Sequence, residues 1–132
     1  MAQTRGNVMK NIKSVDVTKS TFKISRNFTI TESVPNMHKG PAEQFDGLNV
    51  GIITLEHNPP HNGEMHLDGD EILYVMSGEL CLTSDSNPDE SLSLYAGDSC
   101  IISKGEWHKV NVIKTTQLLY ITPGLNNEHR PL

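Results

Sequence analysis

Apolar residues in the first part of the chain recur at every second position. Three such pairs occur before residue 31: Val15 with Val17, Phe22 with Ile24, and Phe28 with Ile30. This alternation is typical of strands with one buried face. No stretch has the i, i+3, i+4, i+7 spacing of an amphipathic helix. Short β-rich runs continue to the C-terminal region, at residues 48–55, 72–76, 80–83, 92–94, 99–102, 109–113 and 117–121. The pattern predicts an all-β protein.

Turn-forming residues separate these runs. Proline-containing loops are predicted at 35–47 and 58–63, a tight turn at Asp68-Gly69 and a hairpin closed by Ser77-Gly78. Further loops are predicted at 84–90, 96–98 and 103–106. Many short strands with such turns indicate a sandwich or a closed barrel, and closure would remove exposed sheet edges. The pattern alone does not choose between the two.

Length and charge narrow the class of protein. The 132 residues are enough for one domain over 1–132, and the formal net charge is −5. An acidic balance argues against non-specific nucleic-acid binding, because that requires neutralisation of phosphates by Lys and Arg. No run of 18 apolar residues predicts a membrane span, and the N-terminus lacks the apolar core of a signal peptide. We therefore expect a cytoplasmic protein, in which Cys81 and Cys100 are buried, reduced thiols.

The N-terminus is expected to lie outside the folded part. Met9 is an alternative start, which would make residues 1–8 an unstructured extension, and disorder is expected within 1–10. The following strands, at 12–31, exceed what a minimal barrel needs. We expect them to cross to a partner chain in a homodimer.

Two segments carry a family resemblance. In residues 64–78, His66 is followed after four residues by Glu71, and Glu71 after six residues by Gly78. In residues 97–111, Gly97 precedes Gly105 and His108 at spacings that match a second motif. Together the two segments resemble the paired motifs of the cupin superfamily.

The resemblance implies a cupin-type double-stranded β-helix, or jelly-roll barrel, with its core at about residues 45–122. It also implies that His66, Glu71 and His108 bind one divalent metal ion. The chain departs from the family pattern at three positions. Glu64 replaces a histidine of the first motif, Ser103 replaces a proline, and Asn111 comes one position early. The change at Glu64 affects the predicted ligand set, and the other two affect turns.

Strand geometry agrees with such a site. Residues 64 and 66 of a strand point to the same face, and a turn at Asp68-Gly69 would return Glu71 on the neighbouring strand toward the same interior. A barrel then brings His108 alongside. Two imidazoles and a carboxylate suit Fe(II), and also Mn, Ni, Co or Zn.

The fourth ligand has two candidates. Glu64 would bind through oxygen, and a second carboxylate would favour harder cations such as Mn or Fe(II). His61, in a proline-bent loop, is the other candidate. A third possibility leaves Glu64 unligated as a catalytic general base, its pKa raised by the apolar barrel mouth.

Other polar residues are expected to have ordinary roles. His57, His129 and His38 are interpreted as surface or packing residues. Asp70 is expected to face away from Glu71 as a solvated turn residue, and Trp107 to pack on the barrel rim.

Two classes of function are consistent with these features. The first is a metal-dependent dioxygenase, isomerase or lyase acting on a small organic acid or sugar-derived substrate, with Glu64 moving a proton if it is free. The second is a non-catalytic cupin that binds a small ligand as a sensor. A storage-type cupin is disfavoured because polar cavity residues would then have no purpose.

Overall fold

The structure, a computed structural model, describes residues 9–34 and 44–132. The described residues form nine strands and no helix: β1 (Thr21–Ser25), β2 (Ile30–Ser33), β3 (Gly47–Leu55), β4 (Glu64–His66), β5 (Glu71–Ser84), β6 (Leu92–Tyr95), β7 (Ser99–Ile102), β8 (His108–Pro123) and β9 (Asn127–His129). With no helix in these ranges, none is long and apolar enough to cross a membrane. The all-β prediction is confirmed.

The two long strands β5 and β8 organise the barrel. They pair antiparallel over almost their whole length. The C-terminal half of β8 also pairs with β3, which continues through β1 to β2. At its other end β8 pairs with β4, and β4 with β9. β7 and β6 pair with the first and second halves of β5. Each long strand therefore serves both layers of a jelly-roll barrel, as the sequence predicted.

A bulge bends β5 between those layers. The register to β8 shifts between Val75 and Leu80, and Gly78 in the middle has φ 95°. Across from it, Thr116 is fully buried and its Oγ1 accepts a hydrogen bond from the Glu79 amide at 3.0 Å. The hairpin predicted at Ser77-Gly78 is therefore wrong, because this glycine serves a bulge within one strand.

Three further predictions about strands are corrected. The runs 109–113 and 117–121 belong to the single strand β8. Val15 and Val17 lie in a loop and turn, where Asp16 accepts hydrogen bonds from the Thr18 amide and hydroxyl. Such local bonds compete with strand pairing. Phe28 lies in the β1–β2 turn, is 85% exposed and has φ 69°.

The N-terminal strands join the chain's own sheet. Lys23 of β1 lies opposite Asn49 of β3, and β2 pairs back onto β1. The homodimer expected from these strands stays a prediction. Met9 forms an isolated bridge with Ile12, and the extension predicted at 1–8 lies outside the described residues.

The core lies between the two layers of the barrel. Its buried residues come mainly from alternate positions of β5 and β8: Leu73, Val75, Leu80, Leu82, Leu94, Ile102, Val110 and Leu118. Alternation along these strands sends the intervening side chains outward. At one end of this core the apolar residues give way to polar ones.

Candidate metal centre

Four polar side chains meet at the polar end of the barrel interior. Glu64 and His66 lie on β4, Glu71 begins β5, and His108 begins β8. His66, Glu71 and His108 are each at most 4% exposed. One ligand atom from each of the four residues lies within 4.8 Å of the others. The structure thus brings together Glu64 and the three ligands that the resemblance implied.

The route by which they meet differs from the prediction in one respect. The turn at Asp68-Gly69 was expected to place β5 beside β4, but the two strands do not pair. β4 pairs with β8 and β9 instead, and Glu64 lies directly opposite His108. The bend at Asp68-Gly69 connects β4 to β5 without pairing them. Asp68 accepts hydrogen bonds there from Asn126 at 2.8 Å and Arg26 at 3.3 Å.

The interatomic distances define a compact centre. Glu71 Oε1 lies 3.3 Å from both His66 Nε2 and His108 Nε2. Glu64 Oε1 lies 3.4 Å from His108 Nε2 and 3.8 Å from His66 Nε2. Two imidazole nitrogens and two carboxylate oxygens therefore converge on one point.

Hydrogen bonds at the back of each imidazole select its tautomer. His66 Nδ1 lies 2.7 Å from Asn127 Oδ1, and the Asn127 amide nitrogen donates to the Pro123 carbonyl at 2.9 Å. That second bond orients the amide so that its oxygen faces His66. His108 Nδ1 lies 3.1 Å from the Glu106 carbonyl, which can only accept. Both rings therefore carry a proton on Nδ1, so Nε2 is the atom that faces the centre and can bind a metal ion once it is deprotonated.

The three innermost atoms have no hydrogen-bond partner among the described residues. They are His66 Nε2, Glu71 Oε1 and His108 Nε2, all fully buried. The other Glu71 oxygen, Oε2, accepts a hydrogen bond from the Thr122 hydroxyl at 2.6 Å. Buried polar atoms are rarely left unpaired, and here three electron-pair donors face one another. This donor set fits a divalent cation.

Protons compete for the same position. Burial would lower the pKa of His108, but its contacts with Glu64 and Glu71 outweigh burial and raise the pKa to about 10. The pKa of His66 is also raised, since Glu71 outweighs burial. Burial would raise the pKa of Glu71, but its close contacts with His108 and His66 lower it to about 2. Without a metal ion, the carboxylates therefore hold protons on the imidazoles.

Metal affinity should consequently rise with pH. A metal ion must displace the proton on His108, whose pKa of about 10 keeps it charged at neutral pH, whereas Glu71 is already ionised. We expect affinity for Mn²⁺ to increase at least about tenfold per pH unit between about pH 6 and 8. Competition against a chelator of known pH dependence measures this. Affinity that is constant over this range would contradict the site.

Glu64 faces two groups of residues. Its Oε1 points to the centre, whereas Oε2 lies 3.2 Å from His129 Nε2 and 3.8 Å from His61 Nε2. His129 was interpreted from the sequence as an ordinary surface residue. It lies beside Glu64 because β9, which was not predicted, pairs with β4. The short polar sequence of β9 gave no alternation from which to predict it.

The raised pKa expected for Glu64 is wrong. Burial would raise its pKa, but the contact with His108 and charge interactions with both central histidines lower it. Glu64 is therefore an anion, suited to bind a cation or accept a proton. His61 stands farther out, and its Nδ1 accepts a hydrogen bond from the Gly63 amide at 3.2 Å. In the neutral ring its proton then lies on Nε2, the atom nearest Glu64.

Asn127 should contribute to metal affinity without touching the metal. Its removal would free the His66 ring to turn and to exchange tautomers. We expect Asn127→Ala to weaken Mn²⁺ binding about 10- to 100-fold, the usual cost of losing a partner that orients a ligand. Isothermal titration would measure the change. Asn111→Ala is the matched control, because the Asn111 side chain donates to the Cys81 carbonyl at 3.4 Å and orients neither central histidine. Equal affinities for both variants would contradict the role of Asn127.

The remaining predicted residues lie away from the centre. Asp70 is exposed, as expected, and accepts a hydrogen bond from the Lys104 amide at 2.7 Å, which ties down the predicted 103–106 loop. Trp107 is half-buried, with the Arg130 guanidinium 4.1 Å above its ring. His57 is exposed and His38 lies outside the described residues. The two cysteines are free but only half-buried, not buried as predicted.

A cavity of about 550 Å³ opens beside the centre. Glu64 and Glu71 contribute to its wall at the inner end. Its other lining residues are mostly apolar or uncharged and come from β1, β3, β5 and β8, with Pro59 and Pro60 on one side. A volume of this size accommodates a small organic molecule.

An antiparallel jelly-roll barrel with a buried His/Glu cluster at one end defines the class of this protein. The chain belongs to the cupin family: the family model described as Cupin domain matches residues 52–123, more than half of the sequence. No curated protein matches the chain.

Solved structures show the same fold. A cupin superfamily protein from Desulfitobacterium hafniense matches with TM-score 0.50 and 20% identity over 62% of this chain and 72% of that one. Oxalate decarboxylase from Bacillus subtilis, a protein with Mn(II) centres, matches with TM-score 0.51 and 20% identity over 62% of this chain and 23% of its own. A cupin-2 domain protein from Shewanella frigidimarina has TM-score 0.49 and 26% identity, over 67% and 83% of the two chains.

Proposed function

We propose that this protein is a metal-dependent enzyme that acts on a small organic acid bound in the barrel. The observation that carries the proposal is the convergence of His66 Nε2, Glu71 Oε1 and His108 Nε2, all buried and without hydrogen-bond partners among the described residues. Without metal the carboxylates hold protons on the imidazoles, and one divalent cation could replace those protons. Convergence of these donor atoms beside a cavity supports a catalytic cation.

His66, Glu71 and His108 would hold the metal ion, and the anionic Glu64 faces the same point. Two carboxylates in the set favour Mn²⁺ or Fe²⁺. The fold also holds Mn(II) in the oxalate decarboxylase described above, which makes manganese the first ion to test. A bound ion would supply a Lewis acid for substrate oxygens or, with iron, a site for O₂.

The chain's own residues would divide the remaining tasks. Asn127 and the Glu106 carbonyl hold the two imidazoles in one tautomer, and Thr122 fixes the Glu71 carboxylate. Leu73, Leu118 and Tyr120 line the cavity and exclude water from the reacting groups. Glu64 lines the cavity and its Oε1 faces the centre, so this anionic carboxylate can accept a proton from a substrate bound in the cavity.

Glu64→Gln separates the two roles left open for this carboxylate. The amide keeps the size of the side chain and removes its charge. If Glu64 moves a proton, the variant should bind Mn²⁺ within about threefold of the unmodified protein and lose about 100-fold or more in turnover. A fall in both quantities would identify Glu64 as a ligand. Unchanged affinity and unchanged turnover would contradict both roles.

The enzyme proposal needs a test of metal content and conversion. Protein purified without chelator should contain nearly equimolar Mn or Fe by plasma mass spectrometry. Panels of small carboxylic acids, followed by NMR in air and under nitrogen, should reveal a substrate converted by metal-loaded protein only. Conversion in air alone would indicate a dioxygenase, and conversion under nitrogen an isomerase or lyase. Metal-loaded protein that binds acids and converts none would contradict the enzyme and favour the ligand-binding class.

A further inference from the structure

A lysine stands on the cavity wall away from the metal centre. Lys23 of β1 lines the cavity, and its Nζ donates a hydrogen bond to Asn49 Oδ1 at 3.2 Å. The Phe45 ring centroid lies 5.0 Å from the same Nζ. Both partners are uncharged, and none of the ion pairs formed among residues 9–34 and 44–132 includes Lys23. The ammonium group is therefore positioned without a carboxylate of the described chain to neutralise it.

Strand register connects this lysine to the centre. Lys23 lies opposite Asn49, and Asn49 opposite Thr122. The Thr122 hydroxyl then donates to Glu71 Oε2 at 2.6 Å. All four residues line the cavity, so one continuous polar row crosses its wall from β1 to β5. At about 4.8 Å per strand, the backbones at its two ends are roughly 14 Å apart along the sheet.

The charges at the two ends of this row differ. The inner end has the ionised Glu71, which would be neutralised by a divalent cation, and the outer end has the free ammonium. Apolar side chains, among them Leu118 and Ile53, line the same cavity. A ligand that matches this arrangement has an anionic group at each end and an apolar chain between them.

We propose that Lys23, positioned by Asn49, binds the distal carboxylate of an elongated dicarboxylate whose other carboxylate reaches the metal centre. This inference rests on the proposed function, and it specifies the substrate class as small diacids. Lys23 is then a specificity-determining residue supplied by the N-terminal strand β1, which precedes the segment matched by the family model. An ammonium group beside a carboxylate donates a charge-assisted hydrogen bond, which is stronger than a hydrogen bond between neutral groups.

The test compares a diacid with a monoacid of the same chain length. Mn²⁺-loaded protein is titrated calorimetrically with adipate and with hexanoate. The full chain should bind adipate about 10- to 100-fold more tightly, the range expected for one hydrogen bond to a charged group. Lys23→Met should remove this preference, and Lys23→Arg should retain it. Lys104→Met, at an exposed lysine outside the cavity, should behave like the unmodified protein.

The result also distinguishes this inference from the proposed function. Metal content is measured on every variant, and Lys23→Met should bind Mn²⁺ as the unmodified protein does. The inference would be overturned if metal-loaded protein preferred adipate equally with and without Lys23, or if it bound neither acid. Neither result would contradict the assignment of the metal centre. Protein that takes up no metal would overturn the proposed function itself.

Discussion

Replacing His108 with alanine should abolish tight metal binding. His108 supplies one of three fully buried donor atoms, and its Nε2 lies within 3.4 Å of both carboxylates. Loss of a residue that merely orients a ligand costs about 10- to 100-fold in affinity, and loss of the ligand itself should exceed about 100-fold. Plasma mass spectrometry of the purified variant and titration with Mn²⁺ measure the effect. His66→Ala should behave in the same way.

His57→Ala is the matched control, because this histidine is exposed. It should retain the metal content and affinity of the unmodified protein. Circular dichroism and thermal unfolding establish that each variant folds, and His108→Gln serves if the alanine variant does not. A folded His108 variant that binds Mn²⁺ normally would show that the cluster is not the metal centre.

Replacing Gly78 with alanine should destabilise the barrel severely. Gly78 has φ 95°, a conformation that costs other residues about 1–3 kcal/mol. An added Cβ would also lie 2.5 Å from Thr116 Oγ1 and 2.7 Å from Thr116 Cα. Thr116 is fully buried and two of the nearest atoms belong to the backbone, so the clash cannot be relieved by rotating a flexible side chain. We expect a loss of at least about 3 kcal/mol in the free energy of unfolding, measured by urea denaturation.

Gly97→Ala separates the two contributions. Gly97 has φ 93°, almost the same value, but an added Cβ there would meet nothing within 4 Å. This variant should lose only the backbone cost, about 1–3 kcal/mol, and should be clearly more stable than Gly78→Ala. Equal losses for both variants would mean that the close approach of β5 and β8 at Thr116 adds nothing to the requirement for glycine.

Local sequence features predicted the β class: alternation gave β1, and a β-rich run gave most of β3. The resemblance to the cupin motifs implied the barrel and the ligands His66, Glu71 and His108, which the structure brings together with Glu64. Long-range pairing was harder to predict. Gly78 matches the pattern of a hairpin turn, and only the register of β5 against β8 shows that it lies in a bulge. Val15 and Val17 alternate like a strand, but the side chain of Asp16 forms a turn there.

The residues at the metal centre could be predicted from the sequence, whereas those around it could not. His66, Glu71 and His108 stand at the spacings of the cupin motifs, so the resemblance implied them from the sequence. Asn127 and His129 depend on β9, a short polar strand whose position is set only by pairing with β4. Lys23 depends on the register of β1 against β3. Neighbours across a sheet are far apart in sequence, so no local pattern identifies them.

Anomalous diffraction from crystals of the Mn²⁺-loaded protein tests the central claim most directly. A manganese peak should lie about 2.0–2.3 Å from His66 Nε2, Glu71 Oε1 and His108 Nε2, within coordination distance of all three. A peak between His61 and His129 instead, or no ordered manganese in the barrel, would contradict the assignment of the metal centre.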